Sequence, residues 1–212
     1  MNVVNEGVRT TCIWIARLAY LNLIWLLFAL AGLVVFGFFP AAVAGYQITR
    51  DWVHNPESRE QPVFRRFASL FRANLLRANL AGAVIVAIAL LLIAALRLAW
   101  ESSDAAWQLP AVGIAVIASV VFVGGLVHLP FLAAHVDAPV RALVRSAWLY
   151  ALAHPVGTVV ICGAWVGVSF LLGAFPAAAL FFSFSPVALL TALIDVRGFR
   201  RLEQRHSPPS GA

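Results

Sequence analysis

The sequence predicts an all-α fold: a polytopic membrane helix bundle with about five transmembrane helices and two amphipathic interfacial helices on the cytoplasmic side. Three observations lead there. Of the 212 residues 62% are hydrophobic and 11% are charged, whereas a soluble domain has about 45–50% apolar and about 25% charged residues. Every charge falls in one of five clusters, at 1–17, 50–77, 97–104, 137–145 and 195–205. The stretches between them, 18–49, 78–96, 105–136 and 146–194, carry no charge at all. Composition of this kind excludes an ordinary soluble protein and a disordered chain. Unbroken runs of Ala, Leu, Val and Ile, without alternation, exclude a membrane β-barrel.

Taken in order, the first span is expected over about 18–39. Ala42-Val43-Ala44 looks like a signal-peptidase site, but the apolar run before it is longer than a signal h-region, so the segment is read as retained. A re-entrant hairpin over 18–49 is the alternative. The second and third spans are expected at about 78–98 and 109–131. The stretch 146–194 is long enough to cross twice, since one crossing takes about 20 apolar residues. Gly173-Ala174-Phe175-Pro176 supplies the turn, giving spans at about 156–173 and 177–195. The whole chain, 1–212, reads as a single membrane domain, with a Ser/Pro/Gly tail at 206–212 expected to be disordered.

Two loop segments have helical spacing. Over about 62–78, Phe64, Phe67, Ala68, Phe71 and Leu75 recur at helical spacing as a largely aromatic stripe, with Arg65, Arg66, Arg72 and Arg77 largely off it. Such a helix suits the headgroup level, its Arg side chains on lipid phosphate. Pairing with acids on a partner or on the chain itself, such as Asp51 or Glu60, is the competing reading. Over about 139–154, Val140, Leu143, Val144, Ala147, Trp148 and Ala151 form the apolar stripe beside Arg141 and Arg145. Lipid contact and packing on the protein's own helices fit this segment equally, and Pro155 ends it by lacking a backbone N–H.

All 15 basic residues are Arg, against 9 acidic residues. In a membrane chain that excess marks loops facing anionic lipid, so the bilayer and not nucleic acid is the expected partner. With five spans, 12 of the 15 Arg share one side with the C-terminus. The positive-inside rule puts that side in the cytoplasm and the N-terminus outside, with Arg9 and Arg17 arguing the other way. Trp14, Trp52, Trp100, Trp107 and Trp148 near span ends suit an aromatic belt.

Candidates for chemistry are few. Asn22 lies about one turn into the first span and suits an interhelical hydrogen bond. His128, His135 and Asp137 are the best metal or acid–base group, although no H-x-x-x-H or H-E-x-x-H spacing is present. Nucleotide-loop, dinucleotide and hydrolase-elbow signatures are absent, so no cofactor is expected. Cys12 and Cys162 make no disulfide framework. Gly163-x-x-x-Gly167 suits close helix packing, within the chain or in a homo-oligomer. Pro40, Pro130 and Pro186 each fall in the cytoplasmic half of a span, as kinks or merely as a residue common in membrane helices.

Several runs resemble the YesL family: Arg17-Leu18-Ala19-Tyr20-Leu21-Asn22 through Trp25 and Phe28, Gly37-Phe38-Phe39-Pro40, Phe64-Arg65-Arg66-Phe67, Phe71-Arg72-Ala73-Asn74, Asn79-Leu80-Ala81-Gly82, and His128-Leu129-Pro130 to His154-Pro155. The resemblance implies a small bacterial integral membrane protein. It also implies an accessory role in carbohydrate uptake or utilisation, because members are often encoded beside ABC-type sugar importers and glycan-degrading enzymes; ABC-type sugar transporter subunits are then the expected partners. Asn22, Pro40, Asn74 and Asn79 match the family pattern, which assigns them no role. The reading from sequence is therefore a non-enzymatic accessory component, with a small oligomeric transporter second and a membrane enzyme third.

Overall fold

The computed structural model describes residues 2–34, 36–101, 105–135 and 139–194. All regular structure among them is helical: α1 (Asn2–Ala31), α2 (Phe38–His54), a 3-10 turn (Pro56–Glu60), α3 (Val63–Glu101), α4 (Ala105–His135), α5 (Val140–Ala153), α6 (Pro155–Ala174), α7 (Pro176–Phe182) and α8 (Ser185–Ile194). By length and composition, α1, α3, α4 and α6 are each able to cross a membrane, and the bent pair α7–α8 makes a fifth crossing if taken as one span. The tail at 206–212 lies outside the described residues.

Three elements depart from the sequence expectation. The uncharged stretch 18–49 does not make one span over 18–39. It folds as a helical hairpin, α1–turn–α2, reversing at residues 32–37. The segments expected at 62–78 and 78–98 form one unbroken helix, α3, because nothing between Asn74 and Gly82 forbids continuation. Its 39 residues rise about 58 Å at about 1.5 Å each, nearly twice the hydrocarbon thickness of about 30 Å. The last span is broken, α7 and α8 meeting at 47°. Pro186, the second residue of α8, has no N–H to give to the preceding turn, so a continuous helix loses a bond there.

The other boundaries follow the local chemistry. Asn55 Oδ1 accepts from Glu57 N–H at 3.0 Å and starts the 3-10 turn, with Pro56 in its first position. His154, at φ −125° and ψ 59°, separates α5 from α6, which opens on Pro155. Pro176 opens α7 in the same way. Pro110 and Pro130 are accommodated inside α4.

The core has two parts that meet on α2. Leu21 and Ile24 of α1 pack with Ala41, Ala44, Ile48 and Trp52 of α2 and Phe67 of α3. On the other side, Tyr46 packs with Leu129 of α4, Leu143 and Ala147 of α5, and Phe184. Ten of the 17 residues of α2 are buried, so the shortest arm of the hairpin is the centre of the bundle. The outward faces of α1, α3, α4 and α6 expose large aliphatic side chains, as lipid contact requires. Trp100 and Trp107 are exposed at the α3–α4 turn, as a belt predicts, but Trp52 is buried and Trp148 packs over Gly125.

Candidate functional site

Two polar side chains of the bundle, Asn22 and Asn79, sit where the backbone is interrupted. At the α7–α8 break, Asn22 is fully buried. Its Nδ2 donates to Leu180 O at 3.0 Å and to Ser183 Oγ at 3.1 Å. Its Oδ1 accepts from Phe184 N–H at 2.8 Å and Ser185 N–H at 3.2 Å. Leu180 O and Phe184 N–H are the two halves of a normal i→i+4 helix bond. The carboxamide of α1 has inserted into that bond and bridges it, a recognised cause of a sharp bend. Phe184 is thereby turned onto α1 and α2, stacked on Trp25 at 4.9 Å and edge-on to Tyr46 at 5.3 Å. The expectation of an interhelical bond from Asn22 understated this role. Ser183 and Ser185, which bracket the break beside Pro186, carried the overlooked signal.

The hairpin tip is fastened by the same logic. Pro40 sits in the first turn of α2, where its missing N–H leaves Phe36 O without its helical donor. Asn79 Nδ2 of α3 supplies that donor at 2.9 Å. Two residues adjacent in the tip, Leu33 and Val34, have positive φ of 54° and 63°, the left-handed region that side chains disfavour, most of all β-branched ones. Gly32 and Gly37 let the two arms touch backbone to backbone, because a Cβ on either would overlap main-chain atoms of the opposing arm. Pro40 and Asn79 are therefore structurally paired through Phe36 O. Replacing Asn79 by Ala should cost about 1 kcal/mol in the parent chain. In a Pro40→Ala background, whose new N–H can reach Phe36 O, the same replacement should cost close to nothing. A double-mutant cycle of thermal melts in detergent checks this, and equal costs in both backgrounds would refute the pairing.

Asn74 ties α3 to α2, donating to Gln47 Oε1 at 3.2 Å as well as to Leu70 O at 2.8 Å. Arg66 pairs with Asp51 and donates to Gln61 Oε1 at 2.7 Å, while Arg50 holds the other Asp51 oxygen at 3.1 Å. Arg66 thus serves the α2–α3 junction, and Arg65 and Arg72 face outward. At this end Arg59 donates to Trp52 O at 2.8 Å and lies over the Trp14 ring at 5.1 Å. Trp14 meets Trp52 edge-on at 6.3 Å. The N-terminal part of α1 is therefore at the same end of the bundle as Arg50, Arg59 and Arg66, whereas the five-span count separates them.

His128 of α4 is fully buried, with Nε2 3.0 Å from Thr158 Oγ1 of α6. The Thr158 hydroxyl also lies 3.1 Å from His154 O and 3.2 Å from Ala151 O. It has one proton, so donation to a carbonyl leaves it to accept from Nε2–H. Tyr150 meets the His128 ring edge-on at 5.1 Å and stacks on His154 at 4.3 Å. This group joins α4, α5 and α6. His135 is the last residue of α4, with its side chain outside the described residues, as is Asp137 altogether. Thr158 was not anticipated, and nothing in the Pro155-Val156-Gly157-Thr158 run separates it from other membrane threonines.

Between α2, α4, α6 and Phe184 lies an apolar cavity of about 330 Å³, lined by Phe39, Tyr46, Ile85, Val127 and Trp165 among others. Its walls suit hydrocarbon and offer almost no hydrogen-bonding group.

A bundle helical throughout the described residues, with lipid-compatible faces and polar side chains spent on its own backbone and helix junctions, is a polytopic membrane protein of the multi-pass plasma-membrane class. Within that class the chain belongs to the YesL family. It is 31% identical over 209 residues to "Uncharacterized protein YesL" of Bacillus subtilis (strain 168), covering 99% of this chain and 97% of that one. It is 31% identical over 199 residues to "Uncharacterized protein YteU" of the same organism, covering 93% and 87% of the two chains. It is 27% identical over 207 residues to that organism's "Uncharacterized protein YesV", covering 96% of each. The family "Protein of unknown function, DUF624" matches residues 18–96, the stretch that holds Asn22, Pro40, Asn74 and Asn79. No solved structure matches.

Proposed function

We propose that the protein is a non-enzymatic membrane subunit that docks through α6 onto the transmembrane helices of a partner. The observation behind this is the outward character of α6. Only 6% of its most apolar stretch is buried, and Gly163 and Gly167, one turn apart, have open space where a Cβ would stand. Small residues at that spacing let a neighbouring backbone approach closely in lipid. The partner class, subunits of an ABC-type sugar importer, rests on the gene-neighbourhood association that the family resemblance implies. Co-purification in mild detergent with permease subunits encoded nearby tests it. Gly163→Leu/Gly167→Leu should abolish recovery of the partner while the stability read by thermal melting stays within about 1 kcal/mol of the parent, as for two surface changes. Undiminished recovery with this variant would refute the α6 surface.

A small transporter is the second reading, favoured by the broken α7–α8 helix beside an apolar cavity, since carriers often build sites at helix breaks. Against it, the break is filled by Asn22. Flux of sugars or lipids in proteoliposomes distinguishes the two. The hairpin supports the other sidedness, in which α1 and α2 return to one side and the positive-inside rule puts every Arg except Arg97, and the N-terminus with them, in the cytoplasm. Reporter fusions should read inside at the N-terminus and after Arg205, and outside after Glu101.

A further inference from the structure

Arg141 and Arg145 stand one turn apart on α5 and are exposed. Among the described residues neither makes a hydrogen bond or ion pair. They rim a cleft of about 480 Å³ between α5 and α3, whose floor is Leu80, Val84, Ile88, Val144 and Trp148. A second cleft of about 420 Å³, between α3 and α4, continues from Ile88 and Trp148 toward Leu92 and Ile117. Because Ile88 and Trp148 line both, the two clefts make one groove. The Trp148 ring, where the clefts join, occupies the space that a Cβ on Gly125 would need.

We propose that this groove binds one anionic phospholipid, its phosphate held between Arg141 and Arg145 and an acyl chain laid along α3. Length supports the assignment. From Leu80 to Leu92 the helix rises about 18 Å, close to the depth of one leaflet, half of about 30 Å. Charge supports it as well. The two Arg stand at one end only, the end where α3 carries Arg77, and the rest of the wall is apolar. A guanidinium pair suits a phosphodiester through charge-assisted, forked bonding. A transmembrane helix of a protein partner would leave both Arg without an anion, and a free phosphate would leave the apolar wall unused. The groove is separate from the α6 face and does not depend on it.

The test uses the full chain in mild detergent, with bound lipid counted by native mass spectrometry and stability read by thermal melting. Phosphatidylglycerol should be retained and should raise the melting midpoint; phosphatidylcholine should do so much less. Arg141→Gln/Arg145→Gln should weaken phosphatidylglycerol binding about thirty-fold. Arg97→Gln, at the opposite end of α3, should leave it unchanged. Val84→Trp, which fills the groove without touching its charge, should also abolish retention. Equal effects of the two lipids on the parent chain would overturn the headgroup assignment, even if the double variant does not fold. Unchanged binding by a folded double variant, or an equal midpoint rise with glycerol phosphate alone, would overturn the lipid site.

Discussion

Asn22→Leu should lower the stability of the protein by about 3 kcal/mol and move Phe184 off Trp25. The estimate balances two outcomes. If the α7–α8 break stays open, Leu180 O, Phe184 N–H and Ser185 N–H lose their partners away from water, at about 1–3 kcal/mol each. If the helix closes instead, Phe184 N–H can reach Leu180 O directly. Closure then swings the Phe184 ring out of its stack on Trp25 and off Tyr46, losing aromatic contacts worth about 0.5–1.5 kcal/mol each and opening space beside the apolar cavity. Either route costs more than the average membrane side-chain hydrogen bond of about 0.6 kcal/mol. Ser183→Ala removes only the Ser183 hydroxyl from the Asn22 carboxamide and should cost about that smaller amount. Thermal melting separates the two variants, and Trp fluorescence reports the stack. A loss for Asn22→Leu no larger than for Ser183→Ala would mean that the carboxamide does not hold the break.

Asn22→Asp refines the same expectation. A carboxylate keeps both acceptor positions toward Phe184 and Ser185 but cannot donate to Leu180 O, and it buries a charge among apolar side chains. A variant as unstable as Asn22→Leu is expected, although the acceptor is retained. Stability near the parent would show that the two N–H groups alone matter.

The parts of the fold that charge and proline mark were legible in the sequence. Pro155 and Pro176 stand at the starts of α6 and α7, and the 97–104 charges separate α3 from α4. Leu143, Val144, Ala147 and Ala151 of the α5 stripe are buried against the bundle, where the spacing alone left lipid contact and packing equal. Relations between apolar stretches were not legible. A helix rich in Arg and a helix rich in Leu share the same register, so nothing at residue 78 announces that α3 is one rod. The α7–α8 bend depends on a carboxamide over 150 residues away in sequence, which no local pattern reveals. Among the site residues, the family pattern pointed to Asn22, Pro40, Asn74 and Asn79 without their purpose. That purpose appears only when Pro40 is seen to leave Phe36 O bare and Asn79 to cover it.

Gly37→Val should disrupt the hairpin and cost about 3 kcal/mol or more, at the upper end for overpacking. The reason lies in what the new side chain meets. A Cβ at residue 37 runs into the carbonyl oxygens of Ala29 and Phe28, which belong to the last turn of α1 and cannot rotate away as a side-chain tip would. The φ of Gly37 is −92°, so the cost is steric and not a matter of handedness. Gly113→Val is the control, because nothing lies within 4 Å of its would-be Cβ, and it should stay within about 0.5 kcal/mol of the parent. The tip is expected to act on topology as well. Residues 18–49 are uncharged and long enough either to cross once or to turn back, and the close approach of residues 32 and 37 favours turning back. If valine opens the turn, the segment is free to span singly, and an N-terminal reporter should move from the cytoplasmic to the outer side in part of the population. Arg9 and Arg17 resist that transfer, so removing both in the Gly37→Val background should increase the outward fraction. A stable variant with an unmoved N-terminus would show that the hairpin is held by α2 packing against Phe67 and Phe184 and not by the geometry of its tip.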